Sequence, residues 1–270
     1  LADYRLRYAS YRADPDLAEL HRRLPMISVW DDHETANNSW KDGAAAHDPA
    51  IEGSWESRKA AGMRAYHEWL PMGDAWWDSY RIGDLATLFR LETRLAGRDM
   101  QLDDQLDAIL AAGDSSVKSN LAAFRAGPLA DSARSMMGAA QERWLADGLA
   151  SSVSSGARWQ ILAQQVIMGE TMFPAAGPGW FAPGHVMTPE EHALISTRAV
   201  MTELGVPFSM DKWDGYPAAR RRLYDAARAA KANLVTLTGD SHNAWAFELG
   251  DASGAVGVEF AGQSVSSFGY

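Results

Sequence analysis

Hydrophobic and polar positions along this chain switch between helix-like and strand-like patterns, and the switches lay out the elements. "DPDLAELHRRLP" (14–25) predicts a short helix with Asp14 as N-cap, Pro15 in the first turn and Pro25 as the stop. "MISVW" (26–30), β-branched and aromatic, predicts a strand. The polar, Gly- and Asn-bearing residues from Asp31 to Ile51 predict a long functional loop. "SWESRKAAGMRAYHEWLP" (54–71) has helical composition and again stops at a proline. "DSYRIGDLATLFRLETR" (78–94) predicts two strands around a turn at Gly83-Asp84. An amphipathic helix is expected over 136–152, followed by a strand over "RWQILAQQVIM" (158–168). Residues 169–216, with their prolines and glycines, predict irregular chain with one helix near "TPEEHALISTRAVMTEL", capped by Thr188 and Pro189. A last helix over 217–231 leads into the strand "NLVTLTG", and "WAFELG" with "GAVGVEFAG" predicts a terminal hairpin. Strands alternate with helices, yet neighbouring strands also pair as hairpins. The expectation is an α/β fold: a mixed sheet with helices on its faces, and no composition break that marks a second domain.

Composition changes this picture little, but it removes function classes. The chain has 270 residues, 47% hydrophobic and 22% charged, as expected of a globular protein able to bury a sizeable core. No apolar run approaches the ~20 residues of a membrane span. The net charge of -10 argues against a nucleic-acid scaffold binder, whose affinity comes from a basic face, but not against small phosphorylated substrates. With no cysteine, disulfides, thiolate metal sites and cysteine nucleophiles are excluded within these residues.

The candidate chemistry sits where apolar strands end. Gly239-Asp240-Ser241-His242 places a carboxylate and an imidazole two positions apart, and an extended backbone turns both to one side. Both are common donors to metal ions; the bland alternative is an Asx-turn with a half-buried histidine. Asp31-Asp32-His33-Glu34 follows the other apolar run. Four ionisable groups there repel unless a cation compensates, although acids at a helix N-terminus are the alternative. Asn37 and Asn38 add amide oxygens suited to hard ions, or simply a turn. Ligands in open α/β sheets gather outside the carboxyl ends of the strands, so the two clusters together point to one site. Arg220-Arg221-Arg222 reads as a solvated helix face. His21, His47, His67, His185 and His192 show no ligand spacing. Trp30, Trp40, Trp76, Trp77, Trp213 and Trp245 flank polar loops, with core packing the default role for each.

"SVWDDHETANN", "YRIGDLATLFRLETRLAGRD", "MGAAQERWL", "RWQILAQQVIM", "KWDGYPAARRRL" and "NLVTLTGDSHNAWAFEL" stand in an order that resembles the PhoD-like alkaline phosphatases over nearly the whole chain. The resemblance implies a calcineurin-like metallophosphoesterase fold, a mixed-sheet β-sandwich flanked by helices with a multinuclear metal centre, and ions of iron and calcium. It implies Asp32, Asn38, Asp240 and His242 as metal ligands, with Asp31 and Asn37 as possible additions. His33 would contact the scissile phosphate or its leaving group. The implied activity is metal-assisted hydrolysis of phosphate mono- or diesters, with a small phosphate ester as substrate and a periplasmic or secreted location for the intact protein. A phospholipase-like phosphodiesterase, or a non-catalytic carbohydrate-binding module braced by calcium, are the alternatives. Glu92 in "LETR" departs from the aspartate that relatives commonly carry. Further family ligands, early Asp and often Cys and Tyr, would precede Leu1. Residues 1–270 are therefore expected to be a partial catalytic domain, incomplete on the N-terminal side and of little activity alone.

Overall fold

The computed structural model describes every residue except 114, 174–181, 183, 269 and 270. The elements run α1 (Ala2–Arg12), α2 (Pro15–Arg23), the two-residue strands β1 (Ser39–Trp40) and β2 (Gly43–Ala44), α3 (Pro49–Glu52) and α4 (Trp55–Trp69). Then come β3 (Asp78–Ile82), β4 (Ala86–Arg90), α5 (Asp103–Ala111), α6 (Val117–Ala126), α7 (Gly138–Ser154) and β5 (Trp159–Ala163). The chain continues through α8 (Pro189–Leu204), α9 (Pro217–Ala230), β6 (Leu234–Thr238), β7 (Trp245–Asp251) and β8 (Gly254–Ala261).

Six strands form one mixed sheet in the order β3-β4-β5-β6-β8-β7, and β1 pairs with β2 in a separate ribbon. The middle of the sheet is parallel: β4 with β5, β5 with β6 and β6 with β8. Antiparallel hairpins close both edges, β3 with β4 and β7 with β8. Gly83, in the left-handed region at φ 56°, makes the turn between β3 and β4. The expected mixed α/β sheet flanked by helices is thus the observed fold.

Side chains alternate across each strand, so the sheet has two faces of different fate. On one face Phe89, Leu162 and Leu234 pack with Leu145 and Leu149 of α7 and Leu223 and Ala227 of α9 into the main core. Within the sheet, β6 and β8 pair so closely that a Cβ on Gly257 would meet the carbonyl oxygen of its partner Leu234 at 2.3 Å. Along the other face Tyr80, Leu88, Ile161, Val235 and Val258 stand in one register row, each only partly buried. In the adjacent row, Leu237 and Phe260 are 42% and 52% exposed. Parallel strands normally have both faces covered, and among the described residues this apolar face is left partly exposed.

Two further cores lie beside the sheet. Leu106, Leu121, Phe124, Met201, Val206 and Met210 join α5, α6 and α8. Trp30, Trp55, Met63, Tyr66 and Leu95 tie α4 to the loops near the site. Helix ends follow their caps: Asp14 accepts from the N–H groups of Asp16 and Leu17. Thr188 and Glu191 form a reciprocal capping box at α8, which ends on left-handed Gly205.

"MISVW" is not a strand. It has no ladder partner, and Met26 and Ile27 are exposed. Its β-propensity is used differently: Trp30 is fully buried, donates from Nε1 to Glu92 Oε1 at 3.0 Å, and accepts at its carbonyl from Gln165 Nε2 at 2.7 Å. The strand expected over 158–168 ends at Ala163, and α5 and α6 were not anticipated. Arg220 is not on a solvated face: it is buried, paired with Asp214 at 2.5 Å and Glu170 at 2.9 Å. Within the irregular stretch, residues 174–181 and 183 lie outside the described ones.

Candidate metal centre

The site lies past the carboxyl ends of β4, β5 and β6, where three loops leave the sheet together. After β4 the chain turns at Glu92, whose buried carboxylate accepts the N–H groups of Arg94 and Leu95 on Oε1 and of Ala96 on Oε2. That nest of backbone donors fixes where Arg94 begins. After β5, Gln165 accepts from both the N–H and the hydroxyl of Thr93 and donates to the Trp30 carbonyl. It thereby locks the 31–38 loop onto the sheet. After β6 the backbone kinks sharply: Asp240 and His242 both occupy the left-handed region, at φ 61° and 62°. Such conformations cost energy for residues other than glycine and are held here by the surrounding structure.

These loops bring Asp31, Asp32 and Asp240 together, each offering a carboxylate oxygen within 4.8 Å of the others. Asp32 is buried; its Oδ1 accepts the His33 N–H at 2.7 Å and its Oδ2 the Asn38 N–H at 2.8 Å. Asp31 and Asp240 are both bound by the fully buried Arg94, at 2.6 Å from Nε and 2.8 Å from Nη2. Arg94 Nη1 also grips Asp211, at 2.9 and 2.8 Å to its two oxygens. Arg98 and Gln101 hold Asp211 from the other side, at 2.6 and 2.8 Å.

Four carboxylates therefore face two guanidinium groups and, beside Asp240 and Asp211, the buried Lys212 ammonium, and the electrostatics show that acid is still in excess at Asp240. Burial pushes Asp240 up to about 7 against the pull of Arg94, with Asp31, Asp211 and Asp32 adding to the rise. Burial likewise raises Asp31, opposed by Arg94. Burial also favours the neutral form of Asp211, but Arg94, Arg98 and Gln101 outweigh it and hold that carboxyl low. For Arg94 burial opposes the charge and the acids around it more than restore it. An arrangement of three carboxylates short of positive charge, all hard oxygen donors, fits a divalent or trivalent cation. Asp31, Asp32 and Asp240 are the residues that can hold it.

The remaining expected site residues lie around this cluster. His33 is on the surface, its side chain 76% exposed, with Nε2 3.2 Å from Asn37 Oδ1 and 4.0 Å from Asp32 Oδ1. Asn37 is exposed, and Asn38, at φ 50°, turns the loop while its carbonyl accepts from Gln101. His242 is exposed and outside the three-carboxylate group; its Nδ1 is 2.7 Å from the Phe268 carbonyl oxygen. Trp30 and Trp213 are core residues, whereas Trp245 is partly exposed and donates to Ser241 Oγ at 3.0 Å. Arg94, Asp211 and Gln165 were not anticipated in the site. The available signal was the charged run "LETR" directly after an apolar strand; the partner of Arg94 in "SMDKWDG" is too distant in the chain to be paired with it by inspection.

Comparison with known proteins places this geometry in context. The family described as PhoD-like phosphatase matches residues 1–270. Alkaline phosphatase D of Bacillus subtilis (strain 168) is 30% identical over 284 residues, covering 100% of this chain and 40% of that protein. A solved structure titled "Structure of PhoD" superposes with a TM-score of 0.68 at 29% identity, covering 98% of this chain and 44% of that one. The chain thus spans less than half the length of the relatives it matches.

Proposed function

Because the chain belongs to the PhoD-like phosphatase family, we propose that it supplies part of a centre that hydrolyses phosphate esters with the help of metal ions. The observation that carries this reading is the convergence of Asp31, Asp32 and Asp240 from segments near opposite ends of the chain. A cation held there supplies Lewis-acid stabilisation of phosphoryl charge and lowers the pKa of water. The chain's own residues do the rest. Asp31 and Asp240 offer carboxylate oxygens that Arg94 has already oriented. Asp32 is fixed by two backbone N–H groups, so its position does not depend on the ligand. His33, exposed beside the cluster and steadied by Asn37, is placed to donate a proton or hydrogen bond toward the leaving oxygen.

In this reading the ions are iron and calcium, with Asn38 and His242 as further ligands. Nδ1 of His242 is held at the Phe268 carbonyl, so Nε2 is the nitrogen it would offer to an ion, and the loop would have to bring it toward the three carboxylates. The ester is a small phosphate mono- or diester, handled outside the cytoplasm. Among the described residues no helix is long and apolar enough to cross a membrane. The proximity of Asp32 and Asp240 argues against the calcium-braced binding module, in which the two need not meet. Hydrolysis of an aryl phosphate ester by the polypeptide carrying this segment, with and without chelator, is the test. Chelation and Asp240→Ala should each abolish turnover; turnover that survives either one would overturn the reading.

A further inference from the structure

Arg94 is the cation, among the described residues, whose side chain touches both loops of the centre. Each of its three guanidinium nitrogens is engaged by a different aspartate: Nε by Asp31 at 2.6 Å, Nη1 by Asp211 at 2.8 Å and Nη2 by Asp240 at 2.8 Å. Its backbone N–H is anchored on Glu92 at 2.8 Å, and Asp211 is itself clamped by Arg98 and Gln101. Neither end of the side chain is free to swing.

We propose that Arg94 is a positioning residue for the cation site. Its planar fork holds Asp31 and Asp240 by one oxygen each, sets the separation of the two carboxylates, and leaves each a second oxygen for the ion. This rests on the metal reading given above. The alternative role for such a residue is charge compensation alone, which any buried cation provides. The two roles differ in what lysine can replace. An ammonium is a compact point charge, able to offset the acids but unable to bind three carboxylates along three directions of one plane. Residues that orient metal ligands from behind typically change metal affinity by about 10- to 100-fold when altered.

Three measurements on the polypeptide carrying this segment, wild type and Arg94→Lys, separate these roles: Mn²⁺ titration with the free ion followed by EPR, thermal unfolding, and amide exchange of the metal-free protein. The variant should unfold within about 4 °C of wild type. It should bind Mn²⁺ at least about tenfold more weakly. Exchange should quicken at residues 31–38 and 239–243 while the strands β5 and β6 keep their protection. A folded Arg94→Lys that binds Mn²⁺ as wild type does overturns the proposal in favour of charge compensation. Should wild type take up no Mn²⁺, the metal reading of this chain fails, and exchange alone judges Arg94. Faster exchange at both loops then supports its hold on them, and unchanged exchange overturns it. If Arg94→Lys does not fold, Asp211→Asn loosens the same fork while leaving its charge in place. A weaker Mn²⁺ affinity in Asp211→Asn supports the proposal, and an unchanged one overturns it.

Discussion

Replacing Glu92 by alanine should unfasten the loop on which the whole centre depends. The fully buried Glu92 carboxylate accepts four hydrogen bonds: from the N–H of Arg94 at 2.8 Å, Leu95 at 2.7 Å and Ala96 at 2.7 Å, and from Trp30 Nε1 at 3.0 Å. Glu92→Ala leaves these four donors without their acceptor, three of them in the buried residues Trp30, Arg94 and Leu95 and one in the exposed Ala96. A buried donor left unsatisfied costs about 1–3 kcal/mol. Water entering the vacated space recovers part of that, so a loss of about 4 kcal/mol is expected. Against a typical stability of about 5–15 kcal/mol this is a large fraction. Glu92→Gln keeps one acceptor oxygen and turns an amide N–H₂ toward the other donors, so it should cost about half as much. Urea denaturation followed by tryptophan fluorescence reads both values, and amide exchange at Ala96 reports the loop itself. A Glu92→Ala loss under about 1 kcal/mol, or an Ala96 amide as protected as in wild type, would refute the idea that this carboxylate organises the turn.

Three other outcomes follow from the same geometry. Placing charges on the sheet face that the described residues leave partly exposed, with Leu237→Lys and Phe260→Glu, should reduce binding of an apolar dye and self-association, while stability moves by only about 0.5 kcal/mol; unchanged dye binding would mean that the face is already covered. In chelator, the folded Asp240 carboxyl titrates at about 7, far above an unfolded aspartate near ~3.9, so the folded chain keeps a proton that the unfolded chain has lost. Stability should therefore fall as pH rises from about 4 to about 7, and Asp240→Asn should flatten that decline; an equal slope in the variant would contradict the assignment. His33→Ala should lower ester turnover by about 10²–10⁴-fold while Mn²⁺ affinity stays unchanged, and an equal loss of affinity would make His33 a ligand instead.

The sequence made some of this architecture visible because the relevant signals are local. The capping box of α8, the proline stops and the β7–β8 hairpin are each written within a few residues. The acid clusters at 31–34 and 239–242 were likewise visible and do meet in space, although only the second follows a strand and the first is carried there by a loop. What could not be read was how the charges pair. Arg94 and Asp211 look like ordinary surface residues until the fold buries them against each other. Arg220 failed for the same reason, since its helix face is covered by the 168–170 loop and Asp214 rather than by water. "MISVW" misled because β-propensity reports an extended, half-buried conformation and not a ladder. Its Trp30 is committed to Glu92 and Gln165 instead.

The most direct test of the account is anomalous diffraction from a crystal of the polypeptide carrying this segment, soaked in Mn²⁺. A peak is predicted among Asp31, Asp32 and Asp240, about 2.0–2.6 Å from a carboxylate oxygen of each. Absence of density there, or a peak elsewhere with these three side chains unengaged, would contradict the claim that the chain's two ends build one cation site.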